Sequence, residues 1–145
     1  MTIYTMGFTQ KSAEEFFGLI NKNDIEILID IRLNNQSQLA GFTKGRDLAF
    51  FLDSICGCKY DHMILYAPTK KILDAYKKGD ISWEEYEVQY NDLISGREVE
   101  ESFKKKYSSF NKALLLCSEP TPEQCHRRLL AEYLSEKLGF DIKHI

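Results

Sequence analysis

The twelve residues from Cys117 to Arg128 hold two thiols, an imidazole, two carboxylates and two guanidiniums, with Cys117, Glu119, Cys125, His126 and Arg127 among them. A thiol next to a base and a cation is the working set of nucleophilic cysteine chemistry, because the thiolate and not the thiol attacks. On that reading Cys117 is the nucleophile or redox thiol and Cys125 a resolving thiol. His126 or Glu119 carries the proton, and Glu119 can instead orient His126. Arg127 and Arg32 clamp a phosphate or carboxylate, and Asp30 positions an arginine or the substrate. Each residue also has a plainer use. A cysteine that ends an apolar strand is usually a small buried hydrophobe, Asp30 and Arg32 can form a structural ion pair, and Arg127 and Arg128 can be solvated helix charges. Their density in so short a segment favours the chemical reading.

These side chains need elements to position them. Residues 113–117, Ala-Leu-Leu-Leu-Cys, read as a short buried strand that delivers Cys117 to its carboxyl end. Thr121 as N-cap, Pro122 in the first helical position and Gln124 completing a capping box predict that the last long helix opens there, to be ended by Gly139. The free N–H groups of that helix would then lie near Cys117 and favour its anion. Upstream, residues 3–6 form a strand that stops at Gly7, and Ser12 with Glu15 caps a helix. The run 25–31 suits a strand buried on both faces. A polar loop spans 34–45 and a helix 46–56. A third strand is expected over 59–65, helices from Thr69, from Ser82 and over 98–107, and a last strand over 140–145.

Strands alternating with helices predict an α/β fold, Rossmann-like in outline, with a mainly parallel sheet and helices on both faces. Ligands bind such sheets beyond the carboxyl ends of the strands. Gly7, the pair Asp30 and Arg32, and Cys117 to Glu119 all fall at such ends. Trp83, Tyr86 and Tyr90 lie on one helical face, either as a packed aromatic stripe or as a wall on which a base or sugar stacks.

The chain has 145 residues, 43% hydrophobic and 28% charged, which predicts one domain with a real core. The net charge of −3 supplies no global basic field for nucleic acid, although the lysine clusters could steer a small anionic ligand or nucleotide. No apolar run is long enough to cross a membrane, and the first residues do not read as a secretory signal. The four cysteines are therefore read as reduced thiols of a cytoplasmic protein. Cys117, Cys125, His126 and His144, with Cys56 and Cys58, are zinc-type ligands, but their spacings match no finger pattern, so no metal is assigned. No cofactor is named by any motif.

Several of these segments together resemble the DUF488 family. Tyr4 to Thr9 is similar to its Tyr-Thr-Ile-Gly-His-Ser opening, with Phe8 where the family often has histidine. Leu28 to Arg32 followed by Ser37 resembles its Leu-Val-Asp-Val-Arg segment and nearby serine, without the proline usual soon after. Trp83, Tyr86 and Tyr90 match a Trp-x-x-Tyr-x-x-x-Tyr pattern. Cys117 and Glu119 with Cys125-His126-Arg127 resemble the family's Cys-x-Glu and Cys-His-Arg signature, and His144-Ile145 its terminal pair. The resemblance implies a Rossmann-like fold and a polar site at Asp30, Arg32, Cys117, Glu119, Cys125, His126 and Arg127. It also implies a setting in nucleotide or nucleic-acid chemistry. Two functions remain open: an enzyme centred on Cys117, or a non-catalytic module that holds phosphate with the same arginines and helix N-terminus.

Overall fold

The computed structural model describes residues 1–36 and 40–145; Ser37 lies outside them. Among the described residues, five parallel strands form one sheet in the order β3-β2-β4-β1-β5. They are β1 (Thr2–Gly7), β2 (Ile27–Asp30), β3 (Lys59–His62), β4 (Lys112–Cys117) and β5 (Asp141–His144). The mainly parallel sheet that the sequence predicts is parallel in every pairing. The helices are α1 (Ala13–Lys22), α2 (Gly45–Phe51), α3 (Lys70–Lys77), α4 (Trp83–Gly96), α5 (Val99–Tyr107) and α6 (His126–Leu138).

Strand periodicity sorts the core into two layers, as alternate side chains must point to opposite faces. Ala113 and Leu115 of β4 pack with Ile27 and Ile29 of β2 against residues of α4, α5 and α6. Leu114 and Leu116 pack with Leu28 against Phe16 and Ile20 of α1 and Leu48 of α2. The result is a three-layer Rossmann-like α/β fold. Odd-numbered Cys117 therefore emerges on the α4/α6 side, whereas Asp30 emerges on the α1/α2 side. No described helix is long and apolar enough to cross a membrane.

Local chemistry explains most element boundaries. Ser12 accepts from the Glu15 amide at 3.1 Å, and Ser82 and Glu85 form a reciprocal capping box. Thr69 caps α3 through the Ile72 amide. Gly139 ends α6 with φ 73°, the left-handed conformation that glycine tolerates best. Helix α2 passes into a wider π turn at Leu52–Cys56 before Gly57. The third strand is shorter than expected: it stops at His62 and the chain turns through 3-10 geometry at Ile64–Tyr66. Helix α5 begins one residue late because Glu98 is left-handed, with φ 51°.

The largest departure lies beside the cysteines. Helix α6 begins at His126 with Cys125 as its N-cap, not at Pro122 with Thr121. Residues 118–125 turn instead, and the amide of Cys125 bonds back to the Pro122 carbonyl at 3.3 Å. The Thr121-Pro122-Gln124 pattern scores as a helix start locally. However, the segment must first carry the chain from the end of β4 to the entrance of α6, and that path overrides the local preference.

Candidate active site

Cys117 is the last residue of β4, and the loop that follows is tied to the end of β1. Phe8 donates its amide to the Cys117 carbonyl at 3.3 Å, and Thr9 donates its amide and its hydroxyl to the Ser118 carbonyl at 3.2 and 2.6 Å. Gly7 makes this approach feasible: a Cβ there would sit 1.5 Å from the Glu119 carbonyl oxygen. Arg127 then clamps that same oxygen from its Nη1 at 2.6 Å. The loop carrying Ser118 and Glu119 is thus held by β1 and by α6.

The first turn of α6 brings His126 over Cys117. Its Nδ1 lies 3.4 Å from the Cys117 Sγ, and its Nε2 lies 2.8 Å from the Ile31 carbonyl just beyond β2. A carbonyl only accepts, so Nε2 carries a hydrogen and Nδ1 of the neutral ring is left as the acceptor facing sulfur. Tyr90 packs edge-on to the imidazole, with ring centroids 5.4 Å apart. The ring is therefore oriented by Ile31 and Tyr90, not by Glu119 as the sequence allowed. Glu119 contributes a wall of the cleft and a backbone carbonyl.

The two thiols diverge in acidity. Burial opposes the Cys117 anion. Even so, the hydrogen bond from Cys125, the Ser118 amide, the positive charge of Arg127 and the Glu119 amide together hold the thiol below its usual range. Cys125 is driven well above it, by burial first and then by its bond and charge repulsion with Cys117, against an opposing pull from His126. The two thiols are coupled, the same contact lowering one and raising the other. By contrast, burial lifts the Cys58 thiol to about 12 and raises Cys56, as suits packing residues. All four cysteines are free.

A cleft of about 200 Å³ opens over this pair. Cys117, Ser118, Glu119, Cys125 and His126 form its floor and one side. Arg32, Leu33 and Asn34 contribute from the end of β2, and Trp83 and Tyr86 from α4. Sequence reasoning missed the remaining wall, which includes Leu73, Tyr76 and Lys77 of α3 and Gln124. The spacing of Leu73, Tyr76 and Lys77 marks one face of α3, but nothing in the chain says that this face meets the cysteines. The Ile31 carbonyl was equally invisible, since any residue supplies one.

The aromatic stripe is packed ring against ring, and part of it borders the cleft. Trp83 and Tyr86 stack, with centroids 5.0 Å apart at 19°, and both border the cleft. Tyr90 is fully buried and donates its hydroxyl to the Tyr66 carbonyl at 2.7 Å.

Three predicted residues sit differently from what a ligand clamp needs. Arg32 is 3% exposed and grips Asp30 bidentately, Nε to Oδ1 at 2.8 Å and Nη2 to Oδ2 at 2.7 Å. It also donates to the Thr43 carbonyl at 2.6 Å. Asp30 accepts further from the Tyr60 hydroxyl at 2.7 Å. The pair is a buried structural ion pair on the α1/α2 side, and only Arg32 borders the cleft. Arg127 is 1% exposed and lies behind the floor, with Nε 3.4 Å from the Thr5 hydroxyl. Its reach to the cleft is electrostatic.

The family model for the domain of unknown function DUF488 matches residues 12–134. The chain belongs to the DUF488 family. The match takes in both cysteines, the imidazole and the aromatic helix of this DUF488 chain, while the opening through Lys11 and the end from Ser135 lie beyond it. No curated protein and no solved structure matches the chain.

Proposed function

We propose that this DUF488 protein is an enzyme in which Cys117 attacks an electrophilic centre of a small substrate held against Trp83, Tyr86 and Tyr76. One observation carries the reading: a thiol with a depressed pKa at the foot of a cleft, 3.4 Å from an imidazole nitrogen whose partner nitrogen is fixed by the Ile31 carbonyl. This arrangement supports a nucleophile, a base and an orienting group in those three roles. His126 takes the Cys117 proton on Nδ1. Sulfur forms a bond to the electrophilic carbon as the bond to the leaving group breaks, and Nδ1 returns the proton to that group. Water, deprotonated at the same nitrogen, then cleaves the sulfur–carbon bond and restores the thiol.

The cleft is below the roughly 300–1,000 Å³ of drug-sized pockets, so it suits a small molecule or one moiety of a larger one. Its aromatic side favours a flat group such as a nucleobase. Lys77 at the rim favours an anionic substituent, in keeping with a nucleotide-like substrate of a reducing cytoplasm. The alternative, a phosphate-binding module built on Arg32 and Arg127, is less supported. Arg32 is neutralised by Asp30, and Arg127 does not line the cleft.

The test is intact-mass analysis after exposure to a panel of small activated esters, amides and halogenated heterocycles. A covalent adduct on Cys117 that turns over in the wild type, and is lost in Cys117→Ser with the circular dichroism spectrum unchanged, is the expected result. Undiminished turnover in Cys117→Ser would overturn the reading.

A further inference from the structure

Sequence spacing gave no reason to assign a metal, yet the fold collects three soft ligands on the floor of the cleft. The two sulfurs of Cys117 and Cys125 and a ring nitrogen of His126 all lie within 4.8 Å of one another, the one such group among the described residues. We infer that these three side chains form a binding site for a thiophilic divalent cation, zinc foremost, with its fourth position open to the cleft.

Four observations support the site. First, the geometry is close to the requirement. Tetrahedral zinc, with bonds of about 2.3 Å to sulfur and 2.0 Å to nitrogen, sets those two atoms about 3.5 Å apart. The Cys117 Sγ and His126 Nδ1 already stand 3.4 Å apart. Two bound thiolates sit about 3.8 Å apart, so the 4.8 Å bound leaves at most about 1 Å to close between the sulfurs and about 1.3 Å between Cys125 and the ring nitrogen.

Second, the imidazole is prepared as a ligand. Its Nε2–H is donated to the Ile31 carbonyl, which fixes the tautomer with Nδ1 turned to the sulfurs. A backbone carbonyl in that position is a common support for a metal-bound histidine. Third, the charges balance. Two thiolates and a dication sum to zero, so the ion's own charge is compensated by its ligands, and the thiol protons are released on binding. Fourth, there is access. All three residues border the cleft, and three protein ligands with an open fourth position describe a reactive rather than a structural zinc site. The wider ligand set is not assembled: His144 bonds to Thr5 at the β5 edge, and Cys58 packs with the α1/α2 layer.

The inference does not depend on Cys117 being a nucleophile; it predicts that a metal and an electrophile compete for the same sulfur. The test is titration of the reduced protein with Co²⁺, followed by Zn²⁺. One equivalent of cobalt should give a thiolate-to-metal charge-transfer band and the intense visible bands of a tetrahedral ion. Zinc should displace it and slow Cys117 alkylation at least tenfold, and a chelator should restore the rate. Cys125→Ser and, separately, Cys117→Ser should lose the charge-transfer band, while Cys56→Ser should keep both band and protection. Absence of the band at stoichiometric cobalt, or its survival in both Cys125→Ser and Cys117→Ser, would overturn the site. Alkylation of Cys117 in chelator reads the nucleophile separately, so slow alkylation with an intact cobalt band sinks the nucleophile alone, and fast alkylation without a band sinks the metal alone.

Discussion

Gly7 and Glu119 meet so closely that a methyl group on Gly7 would lie 1.5 Å from the Glu119 carbonyl oxygen. The obstacle is backbone, which cannot rotate away, and the same oxygen is held by Arg127. Gly7→Ala is therefore expected to push the 118–119 loop outward, destabilising the fold by about 1–3 kcal/mol as overpacking does. It should also weaken the amides that favour the Cys117 anion. Urea denaturation and the alkylation rate of Cys117 measure the two effects, and a variant with wild-type values in both would refute the close approach.

The opposite acidities of Cys117 and Cys125 set a pH dependence of stability. Cys117 is lowered in the fold relative to about 8.5 in the unfolded chain. Between those values the unfolded state binds the extra proton, so stability rises with pH up to about 8.5 and is lost as pH falls through the folded value. Cys125 is raised, so above about 8.5 the folded state holds the extra proton and stability falls. Denaturant midpoints taken from pH 6 to 10, at roughly unit spacing, should show a rise that vanishes in Cys117→Ser and a fall that weakens in Cys125→Ser. Identical profiles for all three proteins would contradict the opposite shifts of the two thiols.

Arg127 brings a positive charge beneath the site without an ion pair among the described residues. Its charge lowers Cys117 and His144 together. Arg127→Gln keeps a donor but removes the charge. It is expected to slow Cys117 alkylation at neutral pH several-fold, because the thiol loses a positive charge that favours its anion. Loss of the charged bond to Glu119 should also cost about 1.5–3 kcal/mol of stability. A variant that alkylates as fast as the wild type would remove Arg127 from the account of the thiolate.

Asp30 and Arg32 are buried on the α1/α2 side, with Tyr60 and Thr43 completing their hydrogen bonds. Asp30→Asn should destabilise the protein by about 3–5 kcal/mol, because Arg32 is left as an uncompensated buried charge. A loss below about 1 kcal/mol in chemical denaturation would argue that the pair is solvated and available to a ligand.

Trp83 borders the cleft and stacks on Tyr86, whereas Tyr90 supports His126 from the core. Trp83→Ala is expected to weaken binding of flat heteroaromatic ligands by about 1–3 kcal/mol while leaving Cys117 alkylation by iodoacetamide near the wild-type rate. A parallel loss of both would show that Trp83 supports the fold of the site rather than its ligand.

The chain by itself determined the alternation of strands and helices, because burial on both faces and the caps at Ser12, Thr69 and Ser82 are local properties of a few neighbouring residues. It also marked Cys117, Cys125, His126 and the aromatic helix, since their types and spacing are visible in one dimension. Three things were decided only by the tertiary structure. The start of α6 moved from Pro122 to His126 because the chain had to cross from β4 first. Asp30 went to the face opposite Cys117, a matter of strand parity that becomes meaningful only once each layer of helices is placed, and its ion pair holds Arg32 at the edge of the cleft. The acceptor that aims His126 is the Ile31 carbonyl, a group every residue carries, chosen by the pairing of β2 with β4 and the packing of α6 across them. Side-chain type reports what a residue can do; which partner it does it with depends on contacts far apart in the chain, and these exist only after folding.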